Sequence, residues 1–147
     1  MLGQWSEFTG TTEFLAPNCT TDLGTCNVSD LPLAVVAGKS DTRGNNFYDE
    51  TINFALPGDA GDINLTITKV SMDDNSAQVW INGEMVLNED RGIYGQRAYL
   101  IYPNVAVGAK LKPGNNPIRG RVYDLYGPGA GLWVSISGSW TTRNPCP

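Results

Sequence analysis

Hydrophobic and polar residues alternate with a period of two along most of this chain. In residues 63–68, for example, Ile63, Leu65 and Ile67 fall on one side and polar residues on the other. No window repeats apolar residues at the spacing of an amphipathic helix. Because alternation is typical of half-buried strands, we predict an all-β chain, an antiparallel β-sandwich or jelly roll of about eight strands. The predicted strands span residues 33–37, 48–56, 63–70, 77–81, 85–88, 98–102, 118–123 and 132–137.

Glycine, proline, asparagine and aspartate mark the turns between these strands. Asn82-Gly83 is the strongest signal, because these two residue types readily adopt the positive φ angles of a tight hairpin turn. Residues 1–30 are less regular, and we predict that they form an N-terminal arm. The whole chain, residues 1–147, is predicted to be a single domain.

The alternation also assigns an inner and an outer face to each strand. The predicted core residues are Ile63, Leu65, Ile67, Val79, Ile81, Ile118, Val122, Leu132, Val134 and Ile136. Outward positions carry five large or charged side chains: Trp80, Arg119, Arg121, Tyr123 and Trp133. Either another layer of protein covers these side chains, or they form an exposed surface with the composition of interaction hot spots.

The charge of the chain argues against nucleic acid as a partner. The net charge is −5, and the ten lysines and arginines are scattered, whereas binding to nucleic acid requires clustered basic residues. No apolar run approaches the roughly 20 residues that a membrane-spanning helix needs. We therefore predict that the chain neither binds nucleic acid nor spans a membrane.

The cysteines indicate an oxidising environment. Cys19 and Cys26 lie seven residues apart, and the chain has no histidine, so a zinc site is disfavoured. A Cys19–Cys26 disulfide is the preferred interpretation, and it implies an extracellular or cell-surface protein. Cys146 then either pairs with one of these two cysteines or has its partner in a longer chain. The second alternative fits a domain excised from a larger extracellular protein.

The residue types present argue against catalysis. Without histidine the chain lacks Ser-His-Asp and Cys-His arrangements, and the glycine-rich residues 127–131 lack the lysine of a phosphate-binding loop. The carboxylates cluster in turns, where they cap the backbone. We predict no enzyme activity and no cofactor. Calcium bound by Asp73, Asp74 and Asn75 is the weaker alternative to a solvated turn.

Three motifs resemble galactose-binding-domain-like jelly-roll modules. They are an Asp-Asp-Asn turn at 73–75, a strand that ends in Val-Trp-Ile-Asn-Gly at 79–83, and a Leu-Lys-Pro-Gly-Asn-Asn turn at 111–116. The resemblance covers residues 62–137 and implies a β-sandwich that binds sugars or proteins. Pro117 and Gly120 interrupt the alternation after the last motif, which predicts an edge strand or a bulge.

A narrower resemblance concerns function. Together with the turn and the hairpin, the segment Gly-Ile-Tyr-Gly-Gln-Arg at 92–97 is similar to part of the distal domain of conjugative mating-pair stabilisation adhesins. This resemblance implies a recognition and adhesion module of a bacterial surface or conjugation protein. Its partner would be a protein receptor or a glycan on a cell surface.

Two alternatives remain open at this point. One is a carbohydrate-binding module appended to a glycoside-active enzyme, with the sugar stacked on Trp80, Trp133 or Tyr94. The other is a structural spacer or fibre subunit.

The loops provide further candidate binding residues. The loop 88–97 is longer than a hairpin requires and carries Arg91, Tyr94 and Arg97. The projecting turn 126–130 carries Tyr126 beside glycines and a proline. Because loops longer than their connection requires are often functional, we predict that both contact the partner.

Overall fold

The computed structural model describes residues 13–15, 24–39, 46–73, 76–90, 99–124 and 130–142. Within these ranges the chain forms ten strands and one short 3-10 helix, Gly108–Lys110. The strands are β1 Glu13–Leu15, β2 Thr25–Lys39, β3 Asn46–Leu56, β4 Gly61–Asp73, β5 Ser76–Ile81, β6 Glu84–Asp90, β7 Tyr99–Ile101, β8 Val105–Ala106, β9 Gly114–Asp124 and β10 Ala130–Thr141. No helix in the described residues is long and apolar enough to cross a membrane.

The strands form two sheets that enclose one hydrophobic core. Sheet A has the strand order β1-β3-β9-β5-β6, and sheet B has the order β2-β10-β4-β7, with β8 also paired to β4. All pairings are antiparallel except that of β1 with β3. The predicted antiparallel β-sandwich is therefore confirmed.

The predicted Asn-Gly hairpin connects β5 to β6. Asn82 and Gly83 have φ angles of 50° and 82°, and Ile81 pairs with Glu84 across the turn. Positive φ at both central positions matches the right-handed twist of the flanking strands. This short turn joins the two strands at one edge of sheet A.

Parts of the predicted N-terminal arm, residues 1–30, lie in strands. β1 pairs with β3 in parallel, and β2 begins at Thr25. The amide of Thr142 donates a hydrogen bond to the carbonyl of Gly24 at 2.6 Å, which joins the end of β10 to the start of β2. Residues 1–12 and 16–23 of the arm lie outside the described part of the chain.

The predicted core residues are buried, except for Ile63, which is half-buried and packs against the core. Alternation alone does not describe β4, whose buried positions change from Leu65 and Ile67 to Val70 and Met72. The cause is a register shift against β10, which leaves Thr68 unmatched between the two pairs. A bulge of this kind adds one residue and reverses the faces of all residues beyond it.

β9 is a central strand of sheet A, so the prediction of an edge strand or a bulge was wrong. It pairs with β3 and with β5 without any register shift. Pro117 lacks an amide hydrogen, but β9 pairs with β5 only from Ile118 onward. No residue of β5 therefore requires a donor at Pro117. Gly120 is required by the core, since a Cβ atom there would overlap side-chain atoms of Val35 and Leu132 in sheet B.

The side-chain amide of Asn116 lies fully buried at the start of β9. Its Nδ2 donates hydrogen bonds to the carbonyls of Lys112, Gly114 and Phe54, at 2.8, 3.1 and 3.1 Å. Its Oδ1 accepts hydrogen bonds from the amide of Lys112 and from Asn82 Nδ2, both at 2.8 Å. One amide therefore joins the 111–116 turn to β3 and to the β5–β6 hairpin.

Replacing Asn116 by alanine should lower the free energy of unfolding by about 3 kcal/mol, because several buried donors and acceptors lose their partner together. Chemical denaturation measures this change. The neighbouring Asn115→Ala variant is the control, since Asn115 is exposed and its side-chain oxygen accepts a hydrogen bond from Asn53 Nδ2 at 3.1 Å. Its cost should stay within about 0.5 kcal/mol, and equal costs for both variants would contradict the role of Asn116.

Candidate recognition surface

The outer face of sheet A carries the candidate site, which we call the arginine platform. It consists of Phe47, Asp49, Trp80, Met85, Arg119, Arg121 and Tyr123. The antiparallel register sets their order. Arg119 lies opposite Trp80 on β5, which lies opposite Met85 on β6, and on the β3 side Asp49 lies opposite Arg121 and Phe47 opposite Tyr123.

Two arginines of the platform share one carboxylate. Arg119 donates from Nε to Asp49 Oδ1 at 2.8 Å and from Nη2 to Oδ2 at 2.6 Å. Arg121 contacts the same Oδ2 from Nε at 3.0 Å and from Nη2 at 2.9 Å. The hydrogen bond from Arg119, followed by that from Arg121, lowers the pKa of Asp49 below 3.8, and partial burial opposes this effect. Asp49 is therefore ionised at neutral pH.

The two guanidinium groups lie over aromatic rings. Arg119 lies 4.5 Å from the ring centroid of Trp80. Arg121 lies 5.8 Å from the same ring and 5.6 Å from the ring of Phe47. The Phe47 and Tyr123 rings are 4.7 Å apart and tilted by 45°. Rings and cations thus form a continuous ladder in which each contact adds a modest cation–π or aromatic attraction.

Polar and apolar groups extend this surface. Gln78 donates a hydrogen bond to Asn88 at 3.1 Å, in the same cross-strand row as Asp49 and Arg121. Phe47 is 63% exposed and Met85 is 49% exposed. Large apolar side chains with this exposure, on a face that also carries paired charges, are typical of an interaction surface.

The structure brings together four of the five outward residues of the sequence prediction but separates Trp133 from them. Trp133 lies on β10, on the outer face of sheet B, and its register partners are Ala34 and Ser71. Both partners are buried, and so is Ser135, which follows Trp133 at the next outward position of β10. The outer face of sheet B is therefore covered around these residues, whereas that of sheet A exposes large apolar side chains.

The predicted loop residues lie outside the described part of the chain. They are Arg91, Tyr94, Arg97 and Tyr126. Their contribution to binding stays a prediction. Asn88, the first residue of the predicted binding loop, belongs to β6 and lies beside the platform.

Cys26 lies on β2 and is buried, opposite Trp140 on β10. The two other cysteines, Cys19 and Cys146, lie outside the described residues. The predicted choice of disulfide partner therefore stays a prediction.

The proposed calcium ligands are only partly described. Asp73 ends β4, while Asp74 and Asn75 lie outside the described ranges. No group of three or more histidine, cysteine, aspartate or glutamate residues in those ranges could hold a metal ion.

The sequence prediction missed Phe47, Asp49 and Met85. A signal was present for the first two, because Ile52 and Phe54 place the even positions of β3 inward and the odd positions outward. Met85 offered no such signal. A register shift between β5 and β6, rather than simple alternation, makes it the partner of Trp80.

Comparisons with known proteins identify no family. No family model and no curated protein matches the sequence. A glycosyl hydrolase family 2 member from Bacteroides cellulosilyticus is similar in structure, with a TM-score of 0.43 and 20% identity over 64% of this chain. A Ruminococcus gnavus β-glucuronidase gives a TM-score of 0.42 and 14% identity over 64% of this chain. The match covers only 13% and 20% of those chains, respectively, and at these scores the likeness identifies neither a family nor an activity.

Replacing Asp49 by asparagine should lower the free energy of unfolding by about 1 kcal/mol at neutral pH, since exposed ion pairs contribute modestly. Because folding lowers the pKa of Asp49 from 3.8, its stabilisation is present above that pH. It is lost as the pH falls through the lowered value. The stability difference between Asp49→Asn and the unaltered chain should therefore vanish in acid. Denaturation curves across this pH range measure it, and a constant difference would contradict the ion-pair arrangement.

Proposed function

We propose that this chain is a non-catalytic recognition module that binds its partner on the arginine platform. One observation carries the proposal. The outer face of sheet A gathers tryptophan, tyrosine, phenylalanine, methionine and arginine. These five residue types are enriched in the cores of protein–protein interfaces. The strands that carry them belong to a sandwich with a packed core, so the surface is rigid before the partner arrives.

A protein partner is favoured over a sugar by the position of Arg119. Its guanidinium lies over the ring of Trp80 at 4.5 Å, where a sugar ring would otherwise stack. The most exposed aromatic residue of the platform, Phe47, also packs against Tyr123. Such a surface suits apolar and carboxylate side chains better than the flat face of a pyranose.

The second candidate function is that of a carbohydrate-binding module. The observation that favours it is the amide pair of Gln78 and Asn88. Amides beside aromatic rings are able to hydrogen-bond sugar hydroxyl groups and to orient a glycan on the surface. A glycan ligand would fit the alternative of a module appended to an enzyme that acts on glycosides.

We also propose that the chain acts outside the cell, as part of a bacterial surface or conjugation protein. The support for this is the resemblance of residues 92–97 and the preceding motifs to mating-pair stabilisation adhesins, together with the cysteine pair predicted for an oxidising compartment. A structural spacer or fibre subunit is the remaining alternative, and it would not require a binding face.

A binding screen with matched variants tests the function. The full chain is screened against a displayed library of random dodecapeptides and against a glycan array. Each ligand found is then measured with Phe47→Ala and with Tyr102→Ala, since both side chains are 63% exposed and only Phe47 belongs to the platform. Phe47→Ala should weaken binding by about tenfold or more, as at a hot spot, and Tyr102→Ala should leave it unchanged.

Peptide ligands that are weakened by Phe47→Ala and not by Tyr102→Ala support protein recognition. Neutral glycan ligands with the same dependence support the second candidate function. If no ligand is found, or if Phe47→Ala leaves the affinity of every ligand unchanged, the platform is not the recognition surface.

A further inference from the structure

The centre of the arginine platform has an excess of positive charge. Asp49 contributes one negative charge, and Arg119 and Arg121 contribute two positive charges, which leaves a net charge of +1 at this position. The whole chain has a net charge of −5. A locally cationic spot on an acidic protein attracts an anionic group at that spot, while the rest of the surface repels acidic partners.

Asp49 does not exhaust the hydrogen-bonding capacity of the two arginines. It engages Nε and Nη2 of each guanidinium. The Nη1 amino group of each therefore keeps its donors for another acceptor. The side chains of Arg119 and Arg121 are 43% and 38% exposed, so a ligand reaches them from solvent.

The surrounding rings hold these donors in place. Arg119 lies over the ring of Trp80 at 4.5 Å, and Arg121 lies 5.8 Å from the same ring and 5.6 Å from the ring of Phe47. Cation–π contacts with these rings and the shared bonds to Asp49 restrict both guanidiniums, whose planar groups of donors suit a carboxylate. Because the arginines are already ordered, less side-chain entropy is lost when a ligand binds.

The flanks of the arginine pair are apolar. Exposed Phe47 lies on the β3 side, and exposed Met85 lies on the β6 side, beyond Trp80. A ligand that fills the whole face must therefore combine a central carboxylate with apolar groups on both sides. A protein segment with aspartate or glutamate between apolar side chains has this chemistry, whereas a glycan supplies hydroxyl groups at these positions.

We propose that the platform binds an acidic protein segment, with Arg119 and Arg121 together holding one carboxylate of the partner. Asp49 is a positioning residue, which keeps the two guanidiniums side by side. Phe47 and Met85 contact the apolar side chains next to the carboxylate. The inference rests on the proposed function, because it assumes that this face is the recognition surface.

The test uses the dodecapeptide library with the full chain. Peptides selected by the unaltered protein should be enriched in aspartate or glutamate next to apolar residues. Replacing the acidic residue of such a peptide by its amide should weaken binding by about tenfold, the usual effect of losing a charged hydrogen-bonded contact. In Arg119→Gln the preference for the acidic peptide over its amide counterpart should fall well below tenfold, because only Arg121 still contacts the carboxylate. Such coupling between the two changes shows that Arg119 and the carboxylate contact each other.

Lys110→Gln is the matched control. Lys110 pairs with Glu84 at 2.7 Å, whereas the two arginines pair with Asp49, and the side chain of Lys110 is 42% exposed, close to the 43% of Arg119. Both variants remove one positive charge, so a general charge effect would be equal in the two. Lys110→Gln should leave the affinity for the acidic peptide unchanged, and the thermal unfolding of both variants confirms that they are folded.

The outcomes separate this inference from the proposed function. Selected peptides that depend on Phe47 but show no preference for acidic residues overturn the inference of an acidic partner, and so do peptides that bind Arg119→Gln as tightly as the unaltered protein. Either result leaves the proposed recognition surface standing. If carboxylate-bearing glycans bind in a manner that depends on Arg119, and no acidic peptide does, the choice of a protein segment is also overturned. The absence of any ligand that depends on Phe47 overturns the proposed function itself.

Discussion

The buried amide of Asn116 is the constraint on which the geometry of sheet A depends. It occupies the first inward position of β9 that carries a side chain and joins this strand to the carbonyl of Phe54, to the 111–116 turn and to Asn82. Because side chains alternate along a strand, fixing Asn116 inward also fixes the following even positions of β9, Ile118 to Val122, inward and the odd positions outward. The arginines of the platform stand on these odd positions, so a buried hydrogen-bond network determines what the surface presents.

The platform in turn depends on sandwich packing behind it. Gly120 lies between the two arginines in sequence, and its lack of a side chain lets Val35 and Leu132 of sheet B approach β9 closely. The arginines therefore project from a strand that is held on its inner side by the core and on both edges by β3 and β5. A surface with this support loses little conformational freedom on binding, which favours recognition by a rigid face.

The sequence was sufficient to predict the strands, the Asn-Gly hairpin and most of the core, because these features follow from local alternation and turn chemistry. It failed where the alternation changes phase. The bulge at Thr68 reverses the buried side of β4, and the cover over Ser135 buries a position that alternation assigns to solvent. Both effects arise from pairing or packing with distant segments, which a local pattern does not report.

The site was predictable only in part for a related reason. Alternation placed Trp80 and the two arginines outward, but the contact of both arginines with Asp49 depends on pairing β3 with β9, some seventy residues away. Nuclear magnetic resonance tests the arrangement most directly through the side-chain protons of Arg119. The ring current of Trp80 should shift them upfield, and the shift should disappear in Trp80→Leu. Ordinary chemical shifts in the unaltered protein would contradict the stacked platform.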